Sequence, residues 1–334
     1  MARELVFLSQ ITMSTRVVIL ALLIASLTPL AARAQDEGRV YRIGVLFEVG
    51  GKEPVETLRT VLAKRGYVEG TNATFSVRSA GGKVDLLPKL AQELVKEEVD
   101  IILTTSTPPA VAAKQATTTI PIVTMSADPV GAGLIESLAR PGANVTGVFL
   151  PWPDLAAKWL QLLKETVPDL RNVVVLWNPN NQASRPQLEA TEAAARSLGI
   201  KNYAIEIGSP NDLKAALQKI ASRHADGLVI IQDTVTFTLS RELAQFSIQN
   251  RIPATHAFRR FVDAGGLMSY GFSRSGLWET AAGYADKILK GARPENLPME
   301  QPTRVEFVIN LNAAKALHLK IPEAVLVRAD ELVR

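Results

Sequence analysis

The chain has 334 residues, of which 47% are hydrophobic and 21% charged, and its 37 Lys and Arg against 33 Asp and Glu leave a net charge of +4. That length carries a large core and two domains. The absence of cysteine excludes disulfides, thiolate zinc sites, a cysteine nucleophile and a lipidated cysteine anchor.

The first 34 residues read as a signal peptide. TRVVILALLIASLTPLAARAQ (15–35) has Arg16 as a basic flank, an apolar run over 17–27, and Ala32-Arg33-Ala34 before Gln35. This is the pattern of a secretory signal cleaved near Ala34, with an apolar run too short for a comfortable membrane span. Met13 is a second candidate start. Residues 1–34 hold Arg3, Arg16, Arg33 and Glu4, so the chain without them carries +2. It keeps no Lys/Arg run of the kind that points to nucleic acid.

From residue 39 onward, apolar strands alternate with helical patterns. VYRIGVLF (40–47), NATFSVRSA (72–80), VDIILTT (99–105) and IPIVTMS (120–126) read as strands. Between them, PVETLRTVLAKRG (54–66), VDLLPKLAQELVKEEV (84–99) and PPAVAAKQATT (108–118) read as helices, the first closing at Gly66.

The pattern then repeats. NVVVLWN (172–178), NYAIEIG (202–208), ADGLVIIQD (225–233) and IPATHAF (252–258) are strands, separated by helical runs at 184–199, 210–223 and 240–250. First strand to second spans about 32 residues in one half (Ile43 to Phe75) and about 31 in the other (Val174 to Ile205). This predicts an α/β protein with two Rossmann-like lobes, each a parallel sheet covered by helices. GGLMSYGF (265–272), a helix over 276–291, prolines 294, 298 and 302, RVEFVIN (304–310) and LNAAKALHL (311–319) are left over. They must join one or both sheets, so the chain crosses between lobes near 149–154, 270 and 298–303. The expected division is a signal over 1–34, lobe one over 39–148 plus about 270–300, and lobe two over 149–269 plus about 303–334. Several crossovers make a multi-strand hinge that closes on a ligand.

Ligands of parallel α/β units sit outside the carboxyl ends of the strands. Asp128, in TMSADPVGAGLIESLARPGANVTG (124–147), lies at such an end. Pro129 suits a first helical turn with Asp128 as its N-cap, which either only caps the helix or also faces the cleft. Gly131-Ala132-Gly133 lacks the third glycine of a dinucleotide fingerprint, and there is no phosphate-loop lysine. Ser106 and Thr107 open a helix after a buried strand and offer hydroxyls and free N–H groups to a carboxylate; a plain Ser/Thr cap is the other reading. Asn178 ends the first strand of the second half, where turn chemistry explains Asn-Pro-Asn equally well. Asp233, with Asp128, would neutralise a ligand ammonium, or else sit in a solvated loop. Tyr270 at a crossover and Phe47 at the end of the first strand are aromatic candidates, with core packing the alternative for Phe47. FEVGGKE (47–53) lacks the kind of polar or His-containing first loop that would help name a ligand. His224, His256 and His318 fall in no H-E-x-x-H, and there is no G-x-S-x-G elbow. No cofactor or metal is expected.

DPVGAGLIESLARPGANVTGV (128–148), GGLMSYG (265–271), YADKILKGARPENLPMEQPTRVEFVINLNAAKALHLKIPEAVL (284–326) and RADELVR (328–334) resemble the substrate-binding proteins of ABC transporters, in the group with tryptophan- and tyrosine-binding members. The resemblance runs from about residue 41 to 334. It implies a type I periplasmic-binding-protein fold. It implies a periplasmic, monomeric, non-enzymatic protein that captures a small molecule and delivers it to an ABC permease. It also raises the ligand-binding reading of Ser106 and Thr107. An amino acid or an aromatic carboxylate is favoured by the two acids, the helix start and the nearby aromatics. A binding module serving a membrane receptor, or an α/β enzyme using paired carboxylates, remains as an alternative.

Overall fold

A computed structural model describes residues 38–49 and 52–334. The expected signal peptide over 1–34 lies outside the described residues. Two sheets organise the rest. The first is built from β1 (Tyr41–Phe47), β2 (Ala73–Ser79), β3 (Ile101–Thr104), β4 (Ile122–Ser126) and β5 (Val145–Phe149), in the order β2-β1-β3-β4-β5 and parallel throughout. Helices α1 (Lys52–Ala63), α2 (Leu87–Lys96) and α3 (Thr107–Ala116) connect its strands.

The chain then passes through α4 (Trp152–Thr166) into the second sheet. That sheet holds β6 (Asn172–Trp177), β7 (Lys201–Glu206), β8 (Gly227–Ile230), β9 (Ala254–His256), β10 (Met268–Phe272), β11 (Val305–Asn310) and β12 (Glu331–Val333), in the order β12-β11-β10-β9-β8-β6-β7. Its helices are α5 (Ser184–Ser197), α6 (Leu213–Ser222), α7 (Thr234–Thr238), α8 (Ser240–Gln249) and α9 (Arg260–Asp263). The order β7-β6-β8-β9-β10 repeats β2-β1-β3-β4-β5, so the spacing agreement in the sequence corresponds to one topology used twice. The leftover elements complete it. After β10, α10 (Arg274–Leu289) returns to pack on α1 and the first sheet, while β11, α11 (Leu311–Ala316), α12 (Glu323–Leu326) and β12 extend the second. One pair departs from the all-parallel expectation: β10 and β11 run antiparallel, because the chain revisits the first sheet and re-enters from the opposite end.

Strands such as β3, IILT, are buried at every position, as a sheet covered on both faces requires. The same apolar cluster runs through the crossover. Trp152 opens α4 with its ring 5.0 Å from Phe272 and 5.5 Å from Phe258. One turn pair later, Trp159 Nε1 donates to the Tyr270 carbonyl at 2.6 Å. These contacts fix α4 on β10, next to the place where the chain leaves for α10.

The expected helix after Asp128 is absent. Residues 129–133 form turns, and no helix appears before β5. Asp128 Oδ1 accepts from the Gly131 N–H at 2.8 Å, a local Asx-type turn. Gly133 then takes φ +67, which an α-helix does not accept, and Lys114 Nζ holds the Gly133 and Leu134 carbonyls at 2.6 and 3.0 Å. Among the described residues, no helix is long and apolar enough to cross a membrane.

Candidate functional site

The carboxyl ends of β1, β3, β4, β6 and β8 face one another across a seam between the two sheets. A cavity lies in that seam. The first sheet contributes Phe47, Val49, Ser106, Thr107, Met125 and Ala127 to its wall. The second contributes Asn181, Gln232, Thr234, Phe237 and Phe258. The crossovers close it with Leu150 and Trp152 from the α4 side and with Arg274, Leu277 and Trp278 from α10. Five aromatic rings therefore surround a space bordered by hydroxyls and one guanidinium.

Phe47, Ser106 and Thr107 of the expected residues lie in this wall. Thr107 is buried, and its Oγ1 lies 2.8 Å from Ser126 Oγ at the end of β4. Ser106 has extended backbone at the N-cap of α3 but makes no side-chain cap bond. Its hydroxyl donates instead to Glu48 Oε2 at 3.3 Å. The helix start is poorer in donors than expected, because Pro108 and Pro109 carry no N–H. Ser106 and Thr107 supply the backbone donors that remain there.

The other four expected residues do not line the cavity. Asp128 turns back on Gly131 and lies outside the wall. Asp233 is buried just behind it and works as a structural hub. It accepts from Val235 N at 2.8 Å as the N-cap of α7, from Asn178 Nδ2 at 2.9 Å and from Asn181 Nδ2 at 2.8 Å. Asn178 is buried in that same network, its Oδ1 accepting from Asn180 N at 2.9 Å. Tyr270 is set in β10 and packs edge-on against Phe307, 5.9 Å between centroids.

Glu48 is the group that the sequence reading passed over. It is 3% exposed, directly after β1, with Phe47 and Val49 on either side in the cavity wall. Its Oε2 accepts from Ser106 on one side and from Thr234 Oγ1, at 3.3 Å, on the other. Burial, and then the nearby charge of Asp233, push its carboxyl up to about 7, against the pull of the two hydroxyls. The strand-end rule that singled out Ser106 would have found it. Arg274 was missed because it opens a helix after a long return. Its guanidinium lies 4.5 Å over the Phe237 ring. Phe237, Phe258, Trp152 and Trp278 come from four separate segments, which no local pattern brings together. Among the described residues there is no group of three or more His, Cys, Asp or Glu that could hold a metal ion.

The profile of a family described as ABC transporter substrate binding protein matches residues 49–333. A Tyrosine-binding protein of Clostridioides difficile (strain R20291) is 27% identical over 262 residues, 78% of this chain and 74% of that protein. A conserved domain protein from Vibrio cholerae superposes with a TM-score of 0.81 at 30% identity, covering 88% of this chain and all of that one. A Streptococcus pneumoniae ABC domain in complex with L-Trp gives 0.80 at 24% identity, with the same coverage.

Proposed function

Because the chain belongs to the ABC transporter substrate-binding protein family, we propose that it is exported and captures an aromatic amino acid or a closely related aromatic carboxylate in the seam, for delivery to a membrane permease. The family is one of binding proteins, not enzymes. The observation that carries the reading is the composition of the cavity wall. Phe47, Trp152, Phe237, Phe258 and Trp278 offer faces and edges to one planar ring. A sugar site of comparable size would need many more polar groups aimed inward, since each buried hydroxyl must find a partner.

The polar groups of the wall suit an amino acid's head. Ser106 and Thr107 offer backbone donors, their hydroxyls being engaged with Glu48 and Ser126, and the Arg274 guanidinium in the same wall carries a charge of the sign that a carboxylate needs. Two similar proteins support the reading: one is named for tyrosine binding, and another was solved in complex with L-Trp. In this reading the two sheets belong to lobes that close on the ligand, with hinge segments at 150–151, 273 and 301–304.

A thermal-shift screen with L-tryptophan, L-tyrosine, L-phenylalanine, L-leucine and a panel of hexoses and pentoses tests it. A ligand at 100 times its Kd stabilises by about 2.7 kcal/mol, enough to raise the melting temperature by several degrees. The aromatic amino acids are expected to give that rise. A rise with a sugar and none with any aromatic compound would overturn the reading.

A further inference from the structure

We infer that the Glu48 carboxylate receives the ligand's ammonium, so that the site selects aromatic ligands that bear an amine over aromatic acids that lack one. The inference deepens the amino-acid reading and rests on it for the placement of the ring. Three features of the geometry point to Glu48.

First, it is a carboxylate out of water without a cationic partner. Among the described residues no Lys, Arg or His forms an ion pair with it, and the charge that acts on it is the like charge of Asp233. Buried carboxylates in folded proteins are paired or held neutral. Second, its present bonds are weak. Ser106 and Thr234 both donate to the same oxygen, each at 3.3 Å, where a hydroxyl normally sits at about 2.7–2.8 Å. Among the described residues no donor reaches Oε1. Third, it is placed for a ligand. Phe47 and Val49 beside it, and both hydroxyls that hold it, belong to the cavity wall. The other acids are spent: Asp233 is saturated by Asn178, Asn181 and the α7 start, and Asp128 is outside.

An ammonium entering between Ser106 and Thr234 supplies the missing charge and three donors. It favours the ionised carboxylate, so a proton leaves Glu48 as the ligand binds. The groups that face Glu48 are Ser106 of α3 and Thr234 of α7, which do not titrate in this range, and Asp233 at the β8–α7 junction; Arg274 of α10 lines the same cavity. Burial and Asp233 hold the free Glu48 near pH 7, so affinity for an amine is expected to rise about tenfold per unit from pH 5.5 towards 7 and then level.

The test is calorimetric titration of the full chain and of Glu48→Gln with three probes: L-tryptophan, tryptamine, and 3-(indol-3-yl)propionate. In the wild type at pH 7.5 both amines are expected to bind, with tryptophan at least about 30-fold tighter than the propionate. Glu48→Gln is expected to weaken the amines by roughly 30- to 1,000-fold and leave the propionate within about threefold. Titration at pH 6 in buffers of different ionisation heat is expected to show close to one proton released on binding tryptophan to wild type and none in the variant. Propionate binding as tight as tryptophan overturns the inference and leaves the aromatic-ligand reading standing. Binding of tryptamine with loss in Glu48→Gln, but none of tryptophan, supports the inference and sinks the amino-acid reading. An equal loss of all three probes in the variant, or no proton release, overturns the inference by making Glu48 a structural latch. Failure of both amines to bind wild type overturns it as well.

Discussion

Glu48 and Thr234 lie 186 positions apart and meet across the seam between the two sheets, the Thr234 hydroxyl donating to Glu48 Oε2 at 3.3 Å. The contact places a carboxyl where water is scarce, and that has a consequence for stability apart from any ligand. The carboxyl is raised from 4.5 to about 7 in the folded protein. Between those values the native state holds a proton that the unfolded chain has lost. The stabilisation is therefore complete below pH 4.5 and disappears as pH rises through 7, a loss of about 3 kcal/mol. Glu48→Gln keeps an acceptor for both hydroxyls and removes the charge. Urea unfolding at pH 8 is expected to show the variant more stable than wild type by about 2–3 kcal/mol, and at pH 4.5 the two should coincide. Equal stabilities at pH 8 would mean that water reaches Glu48 freely.

His256 works in the opposite direction. Its ring is fully buried, stacked 5.8 Å from Phe261, and Nδ1 accepts from the Phe258 N–H at 3.0 Å. Burial lowers its pKa from 6.5 to about 3. The unfolded chain takes up a proton below 6.5 that the native state refuses, so stability is complete above 6.5 and falls on acidification at about 1.4 kcal/mol per pH unit. Between pH 4.5 and 6.5 the Glu48 and His256 slopes oppose each other. Wild-type stability is expected to be nearly flat there. In Glu48→Gln the histidine slope stands alone, and unfolding free energies at pH 5 and 6 should differ by about 1.4 kcal/mol.

The fold was largely readable because its signals are local and repeated. A run such as IILT at 101–104, between helical patterns, admits few alternatives to a buried parallel strand. The repeated spacing then made two units of one design. Direction was not readable for β11, since antiparallel pairing with β10 depends on where the chain re-enters the sheet. At the site, the strand-end rule pointed to Phe47, Ser106 and Thr107, which line the cavity. The expected helix after Asp128 failed because Pro129 reads as a helix start, while Gly131 and Gly133, the latter seven residues before Arg140, favour turns. The rule did not foresee the network around Asp233, because two side-chain amides from distant positions, Asn178 and Asn181, converge on it beside the local Val235 N–H. The aromatic wall, gathered from α4, α7, α10 and the β9–α9 connection, exists only in three dimensions.

The two aspartates provide a paired prediction. Asp128→Asn keeps the oxygen that accepts from Gly131, at a partly exposed turn outside the cavity wall. Stability is expected to change by less than about 0.5 kcal/mol, and tryptophan affinity by less than threefold, or about 0.7 kcal/mol. Asp233→Asn is different. Its new amide must point a donor at Val235 N and Asn178 or at Asn181. Asn181 cannot turn over without giving up its own bond, in which Oδ1 accepts from Ala183 N at 3.0 Å. One buried donor pair is left facing itself, at a cost of about 1–3 kcal/mol. Chemical denaturation of both variants separates the roles, and a mild Asp233→Asn would remove the aspartate from the centre of the network.

Two glycines beside the second crossover should respond in opposite ways to alanine. A Cβ on Gly271, in β10, would come within 2.1 Å of the Ala257 carbonyl oxygen. That oxygen is backbone, in the segment that leads from β9 to Phe258, so it cannot swing aside as a side chain would. Relief requires β10 to separate from the β9 end. That would disturb Phe258 in the cavity wall and the bond from Trp159 to Tyr270. Overpacking of this kind costs about 3 kcal/mol. Gly276 sits three residues into α10 with only Ser273 side-chain atoms near its would-be Cβ, the closest at 3.7 Å. Alanine there removes backbone freedom from the unfolded chain without a clash and should stabilise by about 0.5–1 kcal/mol. Denaturant midpoints are expected to move down for Gly271→Ala and up for Gly276→Ala. Because only the first change reaches the cavity, only Gly271→Ala should also weaken ligand binding. A Gly271→Ala protein with unaltered midpoint and affinity would show that the β9–β10 junction yields, and with it the rigid placement of Phe258.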